Sequence, residues 1–234
     1  MLVSINQPAY LPWAGYFHRI AVSDVHVVLD HVQFEKNSFT NRNMIRTPTD
    51  RMWLTVPVKT GGRFGDLSIS TLEIDDTSQW RRKHWSALSM NYSKAPFFQP
   101  HATYFESVYS REWRCLNDLL RDNLRYMLDA LGITTPLLFS SDMALSEKKG
   151  QLVIEICKTV EADRYLSGPL GRDYLDPAAF EQAGIGLAYD DYVSPAYRQA
   201  YPGFEANLAA VDLLFNAGSD SLRLLLADDG LVTE

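Results

Sequence analysis

Between residues 30 and 43 the chain gathers Asp30, His31, Gln33, Lys36, Arg42 and Asn43: a carboxylate, an imidazole, two amides and two cations. An Arg makes planar, two-point contacts with phosphate oxygens and a Lys adds a point charge, so Lys36 with Arg42 suits the phosphates of a nucleotide or sugar nucleotide better than a neutral sugar. His31 and His18 are the candidate proton movers, because an imidazole titrates near neutral pH without special help. His31 directly follows an expected strand end and is preferred. A surface loop with locally paired charges explains the same residues more plainly. The alternation of Val32 and Phe34 with His31 and Gln33 makes part of the stretch strand-like, and a functional reading is favoured.

Three other stretches carry polar or aromatic groups at points where ligands bind. Gln7, Tyr10 and Tyr16 lie in or beside a loop stiffened by Pro8 and Pro12. Ser167, Gly168, Gly171 and Tyr174 lie between an expected strand and an expected helix, where backbone N–H groups approach a phosphate or carboxylate; a plain turn ahead of the Asp176 cap explains the glycines almost as well. Tyr197 and Gln199 belong to a Tyr- and Pro-rich loop from 190 to 204, able to stack on a sugar or base or to staple itself to the core. His84, within 81–85, reads as part of a solvated basic helix turn.

The elements that position these groups follow from periodicity. Residues 2–5 and 25–29 are apolar runs bounded by polar residues. Phe17, Ile20 and Ala21 share a helix face from near Trp13, which makes a strand–helix–strand unit with parallel strands. The loops at 7–16 and 30–36 then meet at the carboxyl ends of neighbouring strands, the edge where open α/β sheets bind ligands. The middle of the chain predicts a strand at 52–58, kept to an edge by Pro57, and short strands within 67–74. Next come a helix capped by Thr77 or Ser78, a break at Pro96 and Pro100, and a long helix at 112–131. The second half alternates strand 137–139, a helix capped by Ser146, strand 164–166, a helix opened by Asp176–Pro177, and strand 185–189. Asn207 and Ser219 are expected to cap the last helices. The expected architecture is α/β, a mostly parallel sheet with helices on both faces, in one domain spanning 1–234.

Gln7–Pro8, Tyr10–Leu11–Pro12, Gly15–Tyr16–Phe17, residues 30–36 and Arg42–Asn43, with 53–59, 167–176 and 197–218, resemble the WbqC-like family over nearly the whole chain. The resemblance implies a role in surface-polysaccharide clusters of the O-antigen type and transfer of a glycyl or similar acyl group onto a sugar or sugar nucleotide. It supplies no accepted catalytic residues. The order strand, Pro-closed loop, Gly–aromatic, short helix and an Asp opening the next strand is also similar to a nucleotidylyltransferase opening. There Trp13 and Tyr16 stand where that family has phosphate-binding histidines, and neither can become a cation.

Twenty-two basic against 29 acidic residues give a net charge of −7, against a nucleic-acid partner. Cys115 and Cys157 have no metal-ligand spacing and read as buried thiols of a reducing cytoplasm. The start of the sequence has no signal-peptide pattern, and no apolar run reaches the length of a membrane span. The expected mechanism is group transfer. Lys36 and Arg42 hold phosphate, His31 moves the proton, and Gln7 with Asn43 orients the acceptor. Asp30 is available to magnesium if a nucleoside triphosphate takes part. A nucleotidyltransferase and a non-catalytic nucleotide-sugar-binding protein are the alternatives; the spacing demands no metal.

Overall fold

The computed structural model describes residues 1–63 and 65–227, together with the backbone of 231–233. Five parallel strands form its centre: β1 (Leu2–Asn6), β2 (Val25–Val28), β5 (Leu137–Phe139), β6 (Arg164–Ser167) and β7 (Gly186–Asp190). Their order is β5-β2-β1-β6-β7, and β8 (Leu231–Thr233) pairs antiparallel with β7 at the edge. The chain leaves β1 toward β2 on one side and later crosses back to place β6 on the other. The sheet therefore reverses direction between β1 and β6, where a doubly wound sheet opens a crevice at its carboxyl edge.

Helices cover both faces, as the alternation of elements predicts. Strand side chains alternate between faces. Val3, Ile5, Val25, Val27, Tyr165 and Tyr189 join Leu152 and Ile156 of α5 (Lys149–Thr159) and Phe180 of α6 (Pro177–Gln182) in one buried cluster. The opposite face buries Phe17 and Ile20 of α1 (Ala14–Ala21) in a larger core. That core also takes residues from α2 (Trp80–Tyr92), α3 (Phe98–Ser110), α4 (Leu116–Leu131), α7 (Val211–Ala217) and α8 (Ser221–Leu225).

The middle of the chain departs from expectation. Arg42 and Asn43 lie not in a loop but in β3 (Arg42–Arg46), which pairs antiparallel with β4 (Arg51–Thr55) in a separate two-stranded sheet. A short turn at 47–50, closed by Thr47, makes that hairpin. The segment 67–74 contains a single 3-10 turn with isolated bridges rather than strands. Helix α2 starts at Trp80, beyond Thr77 and Ser78, with no side-chain cap. Pro100 does not break a helix; it sits in the first turn of α3, where an N–H has no intrahelical partner to lose. Helix α4 begins at Leu116, so Cys115 is its N-cap rather than an interior residue. Ser146 binds Glu155 instead of capping α5, Asn207 takes a left-handed conformation in the loop before α7, and α8 begins after Asp220 rather than Ser219. Asp176 caps α6 as expected, accepting from Ala178 N at 3.1 Å.

Candidate functional site

At the carboxyl end of β1 a pocket of about 200 Å³ is lined by Asn6, Gln7, Pro8, Ala9, Trp13, Tyr16, Ser38, Phe39 and Thr40. Two loops build it. Tyr10 N donates to Phe39 O at 3.0 Å, joining the loop after β1 to the loop before β3. Asn43, fully buried, donates from Nδ2 to Leu11 O at 2.6 Å and so braces Leu11, whose φ of 44° is unusual for a branched side chain. Asn43 thus shapes the pocket without facing it. Larger hollows of about 410, 530 and 570 Å³ lie under α6, between α2 and α3, and beside Met52 and Met90; none is at the carboxyl edge of the parallel sheet.

Beneath the pocket runs a buried ionic row. Extending the strand registers by one or two residues brings Asn6, Gly168 and Asp190 level on β1, β6 and β7. Arg19 of α1 reaches across them: Nη1 donates to Asn6 Oδ1 at 2.5 Å and Nε lies 3.5 Å from Asp190 Oδ2. His18 Nδ1 bonds the other Asp190 oxygen at 3.0 Å, and its ring stacks on Tyr192 with centroids 4.6 Å apart. Gly168 is glycine for a geometric reason, since a Cβ there would sit 2.9 Å from both Arg19 Nη atoms. Gly168→Ala is expected to push the guanidinium off one of its partners and to cost about 1–3 kcal/mol in urea unfolding. A loss near zero would mean that Arg19 is not held where the geometry puts it.

An arginine is donor-only, so Asn6 must turn its oxygen toward Arg19, which leaves Nδ2 facing elsewhere. That Nδ2 is buried with no partner among the described residues, and so is the hydroxyl of Tyr16, a residue 1 % exposed. Along the outer wall, Trp13, Phe39 and Trp53 form a ladder with centroids 5.2 and 5.9 Å apart, capped by the Arg42 guanidinium 4.4 Å from the Trp53 ring.

On the neighbouring strand end a second polar cluster surrounds Asp30, which is fully buried. It accepts from Asn117 Nδ2 at 2.8 Å, Arg121 at 2.5 Å and Ser141 N at 2.9 Å, and from the Ser140 and Ser141 hydroxyls. Burial pushes its pKa up, but the bonds from Arg121, Asn117 and Ser141 outweigh this and hold the carboxyl below its ordinary value. Its oxygens are thus taken up by protein donors and its charge is met by Arg121. A magnesium ion would have to displace them, so the donor set does not fit a resident metal. Ser140 Oγ lies 2.6 Å from His31 Nδ1. With its one hydrogen given to Asp30, Ser140 accepts from Nδ1–H, so in the neutral tautomer of His31 the lone pair falls on Nε2.

The remaining expected site residues divide. Gln7 is exposed and Tyr16 is buried, and both line the pocket; Lys36 is exposed on the following loop. Arg42 lies over Trp53 and donates to Asn37 O. Tyr10 is buried against His84 and Tyr109, and Gln33 is spent on Phe34 O and Leu67 N. Ser167 and Gly171 pack together on the far face of the sheet from Arg19, while Tyr174 is 60 % exposed. Tyr197 and Gln199 both bind Asp212 Oδ1, at 2.8 and 3.0 Å, and with Tyr92 tie down the 191–210 loop. Their loop is fastened to the core rather than gathered at the pocket. Sequence reasoning passed over Asn6, Arg19, Phe39, Trp53 and Asp190. A charged residue beside the apolar stripe of α1 and polar residues closing β1 and β7 were the available signals.

The order of strands and the position of the pocket define a doubly wound α/β protein with its candidate site at the carboxyl edge. The chain belongs to the WbqC-like protein family, whose sequence model matches residues 7–224. It is 38 % identical over 221 residues to an uncharacterised protein of Mycobacterium tuberculosis, covering 94 % of this chain and 95 % of that one. No solved structure matches it significantly. Among the described residues no helix is long and apolar enough to cross a membrane.

Proposed function

We propose that this protein is a group transferase of surface-polysaccharide synthesis, of the O-antigen type, which moves a glycyl or similar acyl group onto a sugar or sugar nucleotide. The polysaccharide context is what the resemblance to the WbqC-like family implies. The observation that carries the reading is the pocket at the end of β1, where a strand-end amide, a phenol and an aromatic wall converge beside the point at which the sheet reverses. Such a mixture suits a sugar, which offers hydroxyls to polar groups and a C–H face to rings.

In this reading the acceptor lies in the pocket, against Gln7 and the Trp13–Phe39 wall. Its amine or hydroxyl attacks the acyl carbon, the bond to the donor's leaving group breaks, and His31 Nε2 takes the proton released by the nucleophile. Asp30 acts through Ser140 as a positioning residue for His31. Lys36 and Arg42 provide the positive charge for a phosphate of the donor or acceptor. The free thiols of Cys115 and Cys157 fit a reducing, cytoplasmic setting.

Incubation with aminoacyl donors and sugar nucleotides, read by mass spectrometry, tests the reading. His31→Ala should lower turnover by at least about 100-fold, the low end for loss of a general base. Unchanged turnover removes His31 from the mechanism. The alternative reading is nucleotidyl transfer, whose mark is pyrophosphate released from a nucleoside triphosphate. Tight sugar-nucleotide binding with no product from any donor points instead to a non-catalytic binding protein.

A further inference from the structure

Two residues that line the pocket, Asn6 and Tyr16, each hold a buried hydrogen-bonding atom, Nδ2 and the hydroxyl, with no partner among the described residues. Buried polar groups are nearly always paired, so two orphans in the lining of one small pocket point to a ligand atom. We propose that this pocket receives the N-acyl group of an amino sugar, with its carbonyl oxygen accepting from both Asn6 Nδ2 and Tyr16. The proposal rests on the sugar-binding reading above and specifies which sugars it admits.

Four observations select this chemistry. None of the lining residues carries a formal charge, which disfavours a phosphate, a carboxylate or an ammonium group at this spot. Both orphans can donate, and a carbonyl oxygen is a pure acceptor whose two lone pairs match two donors. Arg19 fixes the orientation of the Asn6 amide by binding its oxygen, and burial raises the pKa of Tyr16, so that its hydroxyl stays protonated. Pro8, Ala9, Trp13 and Phe39 supply apolar lining against which an acyl methyl can pack. At about 200 Å³ the pocket is smaller than sites that enclose a whole drug-sized ligand, so it takes one substituent while the remainder extends along the aromatic wall.

Ligand-observed NMR titration with N-acetylglucosamine, glucose and glucosamine as probes tests this. The wild-type protein should bind N-acetylglucosamine at least tenfold more tightly than the other two. Tyr16→Phe should weaken N-acetylglucosamine by about tenfold and leave glucose unchanged. It should also keep or raise the melting temperature, since the lost hydroxyl has no partner to leave behind. Asn6→Asp keeps an oxygen for Arg19 but presents an acceptor to the pocket, and it should abolish the preference. Equal binding of the three sugars, no binding of N-acetylglucosamine, or a preference untouched in a folded Tyr16→Phe protein would each overturn the inference. The outcomes separate the two claims: acyl transfer without N-acyl preference sinks the inference alone, whereas N-acyl preference without any transfer sinks only the transferase reading.

Discussion

Asp190→Ala should destabilise the protein by about 3–5 kcal/mol in urea unfolding, the usual cost of removing one partner from a buried ion pair. Asp190 is 1 % exposed and binds both His18 and Arg19, which are themselves buried. Without it the Arg19 charge keeps only the neutral Asn6 oxygen, and α1 loses its main polar tie to β7. Asp190→Asn, which preserves shape and one hydrogen bond, should cost less. The adjacent ion pair offers an internal control. Asp191 pairs with Arg172 at 2.7 Å, but the two side chains are 38 % and 36 % exposed, so Asp191→Ala should cost far less than Asp190→Ala. Equal losses at the two positions would show that the buried row does not anchor the helix.

Acidification from pH 6.5 to 5 should remove about 3 kcal/mol of stability through two histidines alone. Burial, assisted by the Arg19 charge, lowers the pKa of His26 to about 3, and burial lowers that of His84 to about 4. Both are bases whose folded values lie below the ordinary 6.5. Their contribution is whole above pH 6.5 and is lost as the pH falls toward the folded values, because the unfolded chain takes protons that the folded one refuses. Each accounts for about half. Asp212 works in the opposite sense, since burial raises its pKa and acid relieves the cost of its charge. Comparison with His26→Gln therefore isolates the effect: its loss over the same interval should be about 1.5 kcal/mol smaller than that of the wild type. An identical loss would mean that His26 is not held neutral.

How far the sequence reveals this site depends on the distance over which each residue's partners act. Residues 2–5, 17–21 and 25–29 define a strand–helix–strand unit through local periodicity, and the second half alternates as cleanly, so the parallel sheet and the carboxyl edge were legible. Arg42 and Asn43 were not: they lie in a hairpin whose register depends on Trp53 and Leu54 opposite, a pairing no local pattern announces. Tyr197 and Gln199 read as binding residues because loops carry function, yet Asp212, further along the chain, claims both. Gln7 and Tyr16 line the pocket, and Pro8 and Pro12 mark their loop in the sequence. Asn6 escaped notice because its importance comes from Arg19 on α1 and, through it, from Asp190 at the far end of the sheet.

The claim on which the account depends is that ligand enters the carboxyl edge at the end of β1. A crystal of the protein soaked with a sugar nucleotide bearing an N-acetyl group tests it most directly. Density between Asn6, Tyr16, Trp13 and Phe39, with the acyl oxygen within hydrogen-bond distance of Asn6 Nδ2, is the predicted result. Density seated between α2 and α3 or beneath α6, with the β1 pocket bare, would contradict it.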